Sequence, residues 1–370
     1  MHILVVTVVH TPLDARIWHR EIAALLDAGH RVTYVAPWSG YGMGPPRDDD
    51  RPDRLVTLDI PRATGRRRGR ALLAARRVIA RRARDADVVL IHDPELLLTV
   101  LTQRRRAPVV WDVHEDTVAT LGDKPWLPRR VRRPLTFVVG AAERFAERRV
   151  ELLFAEDAYR RHFARAHVVV PNEPVVPETV PPARKHRVVY LGRVSRGRGA
   201  DALLSLTAAL PAGVRLEVLG PADAEVQPAF EAAARAGTLA WHGFVPNDVA
   251  RERLAGALAG LSLLRDLPNY RHSRPTKVVE YMAHGVPVVT TPTPIAAEIV
   301  EQYDCGLVVP FDDVDAVAAA IAELHDDDSL RLRLARNGHT AALASYDWRR
   351  SRDRFVEELE RIARLSGGAG

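Results

Sequence analysis

Short runs of β-branched and aliphatic residues recur along this chain of 370 residues, separated by helix-length stretches, in two series with a proline-rich break between them. The first series comprises Ile3–Val8, Val32–Ala36, Leu55–Asp59, Val88–His92, Val109–Trp111, Leu152–Ala155 and His167–Val170. Helices are expected in the gaps, among them Arg16–Ala28, closed by Gly29, and Leu72–Arg84. The second series runs through Val188–Leu191, Arg215–Leu219, Leu239–His242, Leu261–Leu264, Val286–Thr290 and Gly306–Val309. Strands that alternate with helices in this way predict a parallel sheet covered on both faces, here formed twice.

Pro171-Asn172-Glu173-Pro174, followed by Pro177, Pro181 and Pro182, interrupts both periodicities. The expected organisation is a first domain over 1–171, a linker over 172–186, a second domain over 187–345, and a C-terminal segment 346–370 whose charged helix packs back on the first domain. Two Rossmann-like α/β domains of this kind are expected to face a central cleft, because parallel sheets bind ligands at the carboxyl ends of their strands.

Composition narrows the setting. Cys305 is the only cysteine, so there is no internal disulfide and no cysteine-built zinc site, as suits a reducing cytoplasm. The opening Met1-His-Ile-Leu-Val-Val lacks a basic leader and reads as a core strand rather than a signal peptide, and no stretch is long and apolar enough to predict a transmembrane helix. Residues 1–185 carry 32 basic against 23 acidic residues, and residues 186–370 carry 21 against 24, so the positive field belongs to the first half. Part of it is the run Arg62–Arg84, with ten arginines and no acid. Another part is Arg129, Arg130, Arg132 and Arg133, which precede the apolar Leu135–Val139. Basic residues beside an apolar helical face suit an anionic membrane surface as a partner; a solvated arginine-rich surface is the alternative. Nucleic acid is not expected, since no recognition helix or zinc spacing accompanies the charge.

Chemistry concentrates in two places of the second half. Ser273 to Gly285 predicts a helix with Ser273 beside the cap, Pro275 at the first helical position and Gly285 as a left-handed stop. Lys277 and Glu280 share a face one turn apart near Thr276, so the helix start favours a phosphate and the glutamate can accept hydrogen bonds from sugar hydroxyls. An amphipathic helix with an internal salt bridge is the plainer alternative. The strand Val188–Leu191 breaks into Gly192-Arg-Val-Ser-Arg-Gly-Arg-Gly199, where glycines let backbone amides approach a phosphate and Arg193, Arg196 and Arg198, with Gly197 between them, supply charge. It is not a P-loop, and the first strand lacks a dinucleotide fingerprint. In the first half, His114 ends the strand Val109–Val113 beside Asp112, Glu115 and Asp116, and His92 ends the preceding strand. Asp14 and Arg16 lie in the loop after the first strand, where Asp14 is also a natural helix cap. Asp48-Asp-Asp50 reads as a solvated acidic turn, and no metal site is expected.

Gly192-Arg193 with a basic residue before Gly199, together with Lys277-Val-Val-Glu-Tyr-Met-Ala283, Gly285 and Pro287-Val-Val289, resembles the donor domain of retaining glycosyltransferases of family 4, which have the GT-B fold. The similarity extends over nearly the whole chain, through His30–Ala36, Pro171-Asn172, Gly220, Cys305–Pro310 and Tyr346-Asp-Trp348. It implies that Arg193 and Arg198 hold the donor diphosphate, Arg198 replacing a more usual lysine. It also implies that Glu280 binds the nucleotide ribose and that His114 contacts the transferred sugar. By their place after strands His92 and Glu115 are expected on the acceptor side, as are Asp14 and Arg16, which stand where many relatives have a glycine pair. The family's paired glutamates would put the first at position 272, where this chain has His272, so sugar recognition is expected to diverge there. The implied partners are a nucleotide diphosphate sugar as co-substrate and a glycan or lipid-linked acceptor, with no cofactor. The implied place is the cytoplasm, peripheral on the inner face of the membrane. A nucleotide-sugar 2-epimerase and a non-catalytic scaffold of the same fold remain open alternatives.

Overall fold

The structure, a computed structural model, describes all residues except 47–52, 104–106, 115–128, 272–273 and 368–370. The chain divides into two compact units, Met1–Asn172 with Arg349–Gly370, and Glu173–Trp348. The proline-rich segment after Asn172 thus groups with the second unit and most of the C-terminal helix with the first.

The first unit holds β1 (His2–Val6), β2 (Arg31–Ala36), β3 (Leu55–Asp59), β4 (Val88–Ile91), β5 (Val109–Val113), β6 (Glu151–Phe154) and β7 (Val168–Val169). They form one parallel sheet in the order β3-β2-β1-β4-β5-β6-β7. Ile3, Leu4, Val5 and Val6 are all fully buried, the mark of a central strand covered on both faces. The connections include α1 (Ala23–Asp27), α2 (Arg68–Arg82), α3 (Leu97–Val100) and α4 (Arg129–Ala146). The stretch expected as one helix from Arg16 begins instead as a π-helical turn over Ile17–Ile22, with Glu21 N–H donating to the Arg16 carbonyl at 2.9 Å.

The second unit contains β8 (Arg187–Leu191), β9 (Arg215–Leu219), β10 (Ala240–Trp241), β11 (Ala259–Ser262), β12 (Val288–Thr290) and β13 (Gly306–Val308), ordered β10-β9-β8-β11-β12-β13 and again all parallel. Its helices are α5 (Ala200–Leu206), α6 (Gln227–Arg235), α7 (Asn247–Leu254), α8 (Thr276–Ala283), α9 (Pro294–Gln302), α10 (Val314–Asp326) and α11 (Asp328–Ser345). Asp313 and Asp327 cap the last two by accepting from Ala316 N–H and Leu330 N–H, each at 2.9 Å. The final helix, α12 (Trp348–Gly367), is tied to the first unit by Glu360, 3.2 Å from His30 Nε2, and by Arg352, 3.6 Å from Asp27.

One expectation about α8 is corrected. Pro275 is not its first helical residue but the residue before it, with an extended backbone (φ −77°, ψ 94°). Gly285 does take the left-handed conformation (φ 63°), and a Cβ there would come within 2.7 Å of Val180. Ser273, His272, Glu115, Asp116 and Asp48–Asp50 lie outside the described residues.

Strand order reverses between β1 and β4 in one sheet and between β8 and β11 in the other. The loops leaving those strands at their carboxyl ends diverge and open a crevice in each unit. Asp14, Arg16, His92 and Arg193–Arg198 follow those strands, His114 follows β5, and Thr276, Lys277 and Glu280 lie on α8.

Candidate functional site

In the first unit, the loops after β1, β4 and β5 bring together a buried network of charges and imidazoles. Arg16, 2% exposed, donates from Nε and Nη2 to both oxygens of Asp112 at 2.7 Å, and from Nη1 to the Val170 carbonyl at 3.0 Å. Its Nε is also 2.9 Å from Glu21 Oε1. Glu21 Oε2 in turn accepts from His92 Nε2 at 2.7 Å. Asp14 accepts from the backbone N–H groups of Arg16 and Ile17 at 2.8 and 3.1 Å, which sets the turn that aims Arg16 inward. Burial opposes ionisation of Asp112, yet the guanidinium and the His114 ring hold its carboxyl well below the usual range, and the same carboxylates raise Arg16. Glu21, His92 and Asp112 lie close enough together to hold a cation, and the Arg16 guanidinium, paired with both acids, occupies that electrostatic role.

His114 closes the network. Its Nδ1 is 3.1 Å from Asp112 Oδ2, and its Nε2 is 3.0 Å from Nε2 of His10. His10 Nε2 is also 3.2 Å from Asp93 Oδ1, while the other oxygen of Asp93 accepts from Thr7 Oγ1 at 2.9 Å and from the Val8 N–H. The outcome is a chain of carboxylate, imidazole, imidazole and carboxylate. Burial would lower the His114 pKa, but the hydrogen bond and charge of Asp112 outweigh it and push the ring up to about 9.

In the second unit, Lys277 on α8 is buried with its Nζ 3.8 Å from the centroid of the Tyr190 ring. It has no hydrogen-bond partner among the described residues, so the Lys277–Glu280 salt bridge weighed as an alternative is not what the fold builds. Burial pushes the ammonium pKa well below its ordinary value, and the charge of the half-buried Arg198 adds to the effect. The glycines around it are favoured by positive φ or by close approach. Gly192 (φ 112°) faces the Lys277 stem, and a Cβ on Gly220 (φ 151°) would fall 2.1 Å from the Gly192 carbonyl oxygen. A Cβ on Gly199 (φ 86°) would fall 2.4 Å from the Leu263 oxygen, and one on Gly197 would meet Leu267 and Tyr270 at 3.1 Å. Tyr190 fastens the loop by donating to the Arg193 carbonyl at 2.9 Å.

The remaining candidates divide. Gly192, Arg198 and Lys277 come together, and Glu280 is buried one turn along α8. Arg193 and Arg196 instead point to exposed ion pairs with Asp223 and Glu225, and Thr276 is exposed. In the first unit Arg16, Asp14, His92 and His114 share one network, to which the structure adds His10, Glu21 and Asp93. The position of His10 after a central strand was a visible signal; its pairing with a histidine 104 residues away was not.

Two Rossmann-like units, each with polar groups gathered at its strand ends, define the architecture of GT-B glycosyltransferases. The chain belongs to the group 1, family 4 type of these enzymes: residues 15–177 match the glycosyl transferase 4-like domain and residues 185–327 match glycosyl transferases group 1. It is 26% identical over 374 residues to a phosphatidyl-myo-inositol mannosyltransferase of Mycolicibacterium smegmatis, covering 94% of this chain and 88% of that protein. Among solved structures it resembles sucrose-phosphate synthase from Thermosynechococcus elongatus (TM-score 0.73, 17% identity, 100% of both chains). It also resembles Anabaena HepE in complex with UDP and glucose (TM-score 0.70, 17% identity, 98% of this chain and 100% of the other).

Proposed function

We propose that the protein transfers a sugar from a nucleoside diphosphate donor to an acceptor hydroxyl, with retention of configuration and without a metal ion. The observation that carries this reading is the Lys277 ammonium, buried on an aromatic face with no hydrogen-bond partner among the described residues, beside Arg198 and a glycine loop. A buried cation of this kind is costly until an anion arrives, and a diphosphate supplies one. In the transfer, the bond from the sugar's anomeric carbon to the diphosphate breaks and the diphosphate leaves with the electron pair. The acceptor oxygen bonds to the same face of that carbon and its proton passes to a phosphate oxygen. Lys277 and Arg198 stabilise the departing charge, with Arg193 joining them on release from Asp223. Glu280 holds the ribose and His114 serves the sugar.

The acceptor, on this reading, is a lipid-linked or otherwise amphiphilic molecule at the inner face of a membrane. No helix of the described residues is long and apolar enough to cross one. On α4, however, Phe137 is 70% exposed and Val138 60%. Both matched families are glycosyl transferases, which favours transfer over the epimerase and scaffold alternatives.

Calorimetry with uridine and guanosine diphosphates and their glucose and mannose conjugates tests the reading, followed by turnover with a chelator present. Binding that is lost in Lys277→Met, and turnover indifferent to the chelator, are the expected results. A protein that binds none of these nucleotides, or a Lys277→Met variant that binds them equally well, sinks it.

A further inference from the structure

The first unit contains a chamber of 690 Å³ that the proposed chemistry of the strand ends does not by itself require. Its volume is that of a pocket for a sizeable organic ligand. One end is polar, formed by His10, His92, Asp93 and His114. The walls are mostly apolar, with Leu97, Leu101, and Leu135, Val139 and Ala142 of α4, and Arg68, Glu95 and Glu143 complete the lining. Leu98 of α3 and Phe145 of α4, 68% and 49% exposed, are also on its lining.

Two polar atoms of residues lining this chamber are buried without a hydrogen-bond partner among the described residues, Trp111 Nε1 and His92 Nδ1. The indole nitrogen only donates. His92 uses Nε2 on Glu21 at 2.7 Å, so as a neutral ring its Nδ1 only accepts. A donor and an acceptor on neighbouring strands would match a hydroxyl once a ligand opens a path to them, since solvent reaches neither atom in the ligand-free protein. Neither atom matches a hydrocarbon, whereas the leucine and valine side chains of the walls do.

We infer that this chamber holds the hydrocarbon chain of a single amphiphilic molecule, with its hydroxylated head at His92, Trp111 and His114. The inference rests on the transferase reading for the identity of that molecule as the acceptor, and goes beyond it in one respect. The chain is taken up inside the first unit, between α3 and α4, rather than left in a bilayer while the head alone is bound.

Alkyl β-glucosides of increasing chain length, each kept below its micelle-forming concentration and titrated calorimetrically into the full-length protein, test this. Affinity should rise about fourfold for each methylene added until the chamber is filled, as burial of a methylene predicts. Val139→Trp should abolish the dependence on chain length. The milder Ala142→Leu should move the plateau to a shorter chain, and it guards against misfolding of the larger substitution. Affinity that ignores chain length, plateaus that coincide in Ala142→Leu and the parent, or capture only by anionic phospholipid vesicles would each overturn the inference. Nucleotide binding is measured on the same samples. Its loss alone counts against the transferase reading, while loss of the alkyl series alone counts against the chamber.

Discussion

Nε2 of His10 lies 3.0 Å from Nε2 of His114, so one ring donates and the other accepts, and the two nitrogens share one proton at that contact. His114 keeps its Nδ1 on Asp112, while His10 Nε2 also approaches Asp93 at 3.2 Å. The histidine expected to serve the sugar is therefore engaged at both nitrogens before any substrate arrives. A ligand that takes its Nε2 must displace His10.

The charge on His114 makes stability depend on pH. Burial and Arg16 oppose the ring's charge, Asp112 and Asp14 attract its proton, and the balance puts the folded pKa at about 9 against an ordinary 6.5. A raised folded pKa stabilises fully below the unfolded value and is lost as pH rises through the folded one, so the window is about pH 6.5 to 9. Unfolding free energy of the parent relative to His114→Asn should shrink by roughly 3 kcal/mol across that window. A His114 ring that titrates near 6.5 by NMR would refute this.

Breaking the Arg16–Asp112 pair leaves buried charge unpaired. Asp112→Asn should cost about 3–5 kcal/mol in urea unfolding, and Arg16→Met more, because Glu21 also loses its cation. If either variant unfolds at the parental urea midpoint, the network contributes no net stability.

Lys277 should show opposite effects on folding and binding. Lys277→Met removes a buried ammonium with no hydrogen-bond partner among the described residues, so the ligand-free protein should gain about 1–3 kcal/mol. The same variant should lose nucleotide diphosphate binding. A thermal melt with and without nucleotide reads both, and a less stable variant would mean that the contact with Tyr190 outweighs desolvation. Arg198→Ala should lower turnover with little change in the melt.

Gly220→Ala tests the backbone contact beneath the Gly192–Gly199 loop. The added methyl would meet the Gly192 oxygen at 2.1 Å in a conformation that L-residues rarely adopt. A loss of about 2–4 kcal/mol is expected, together with weaker nucleotide binding as Gly192 is pushed aside. Stability lost without any change in binding would separate this loop from the donor.

Tyr281 ties two strand ends together, accepting from Leu191 N–H and donating to the Leu261 carbonyl, both at 2.9 Å. Tyr281→Phe leaves both groups unmatched and should cost about 1–3 kcal/mol. Hydrogen exchange at the Leu191 amide should accelerate accordingly.

Much of this was readable from order along the chain. Strand and helix repeat with fixed periods, so the strands of the described residues, the left-handed Gly285, and the placing of His92 and His114 at strand ends follow from local pattern. Lys277 was visible as a candidate; its burial against Tyr190 was not, because that ring comes from a strand 87 positions earlier. Arg193 and Arg196 read like Arg198 in a row of similar residues, and only the folded loop turns them outward to Asp223 and Glu225. Arg16 meeting Asp112, His10 meeting His114, and α4 walling a chamber with α3 all depend on sheet order. That order places β4 and β5 beside β1, and no short-range periodicity encodes it.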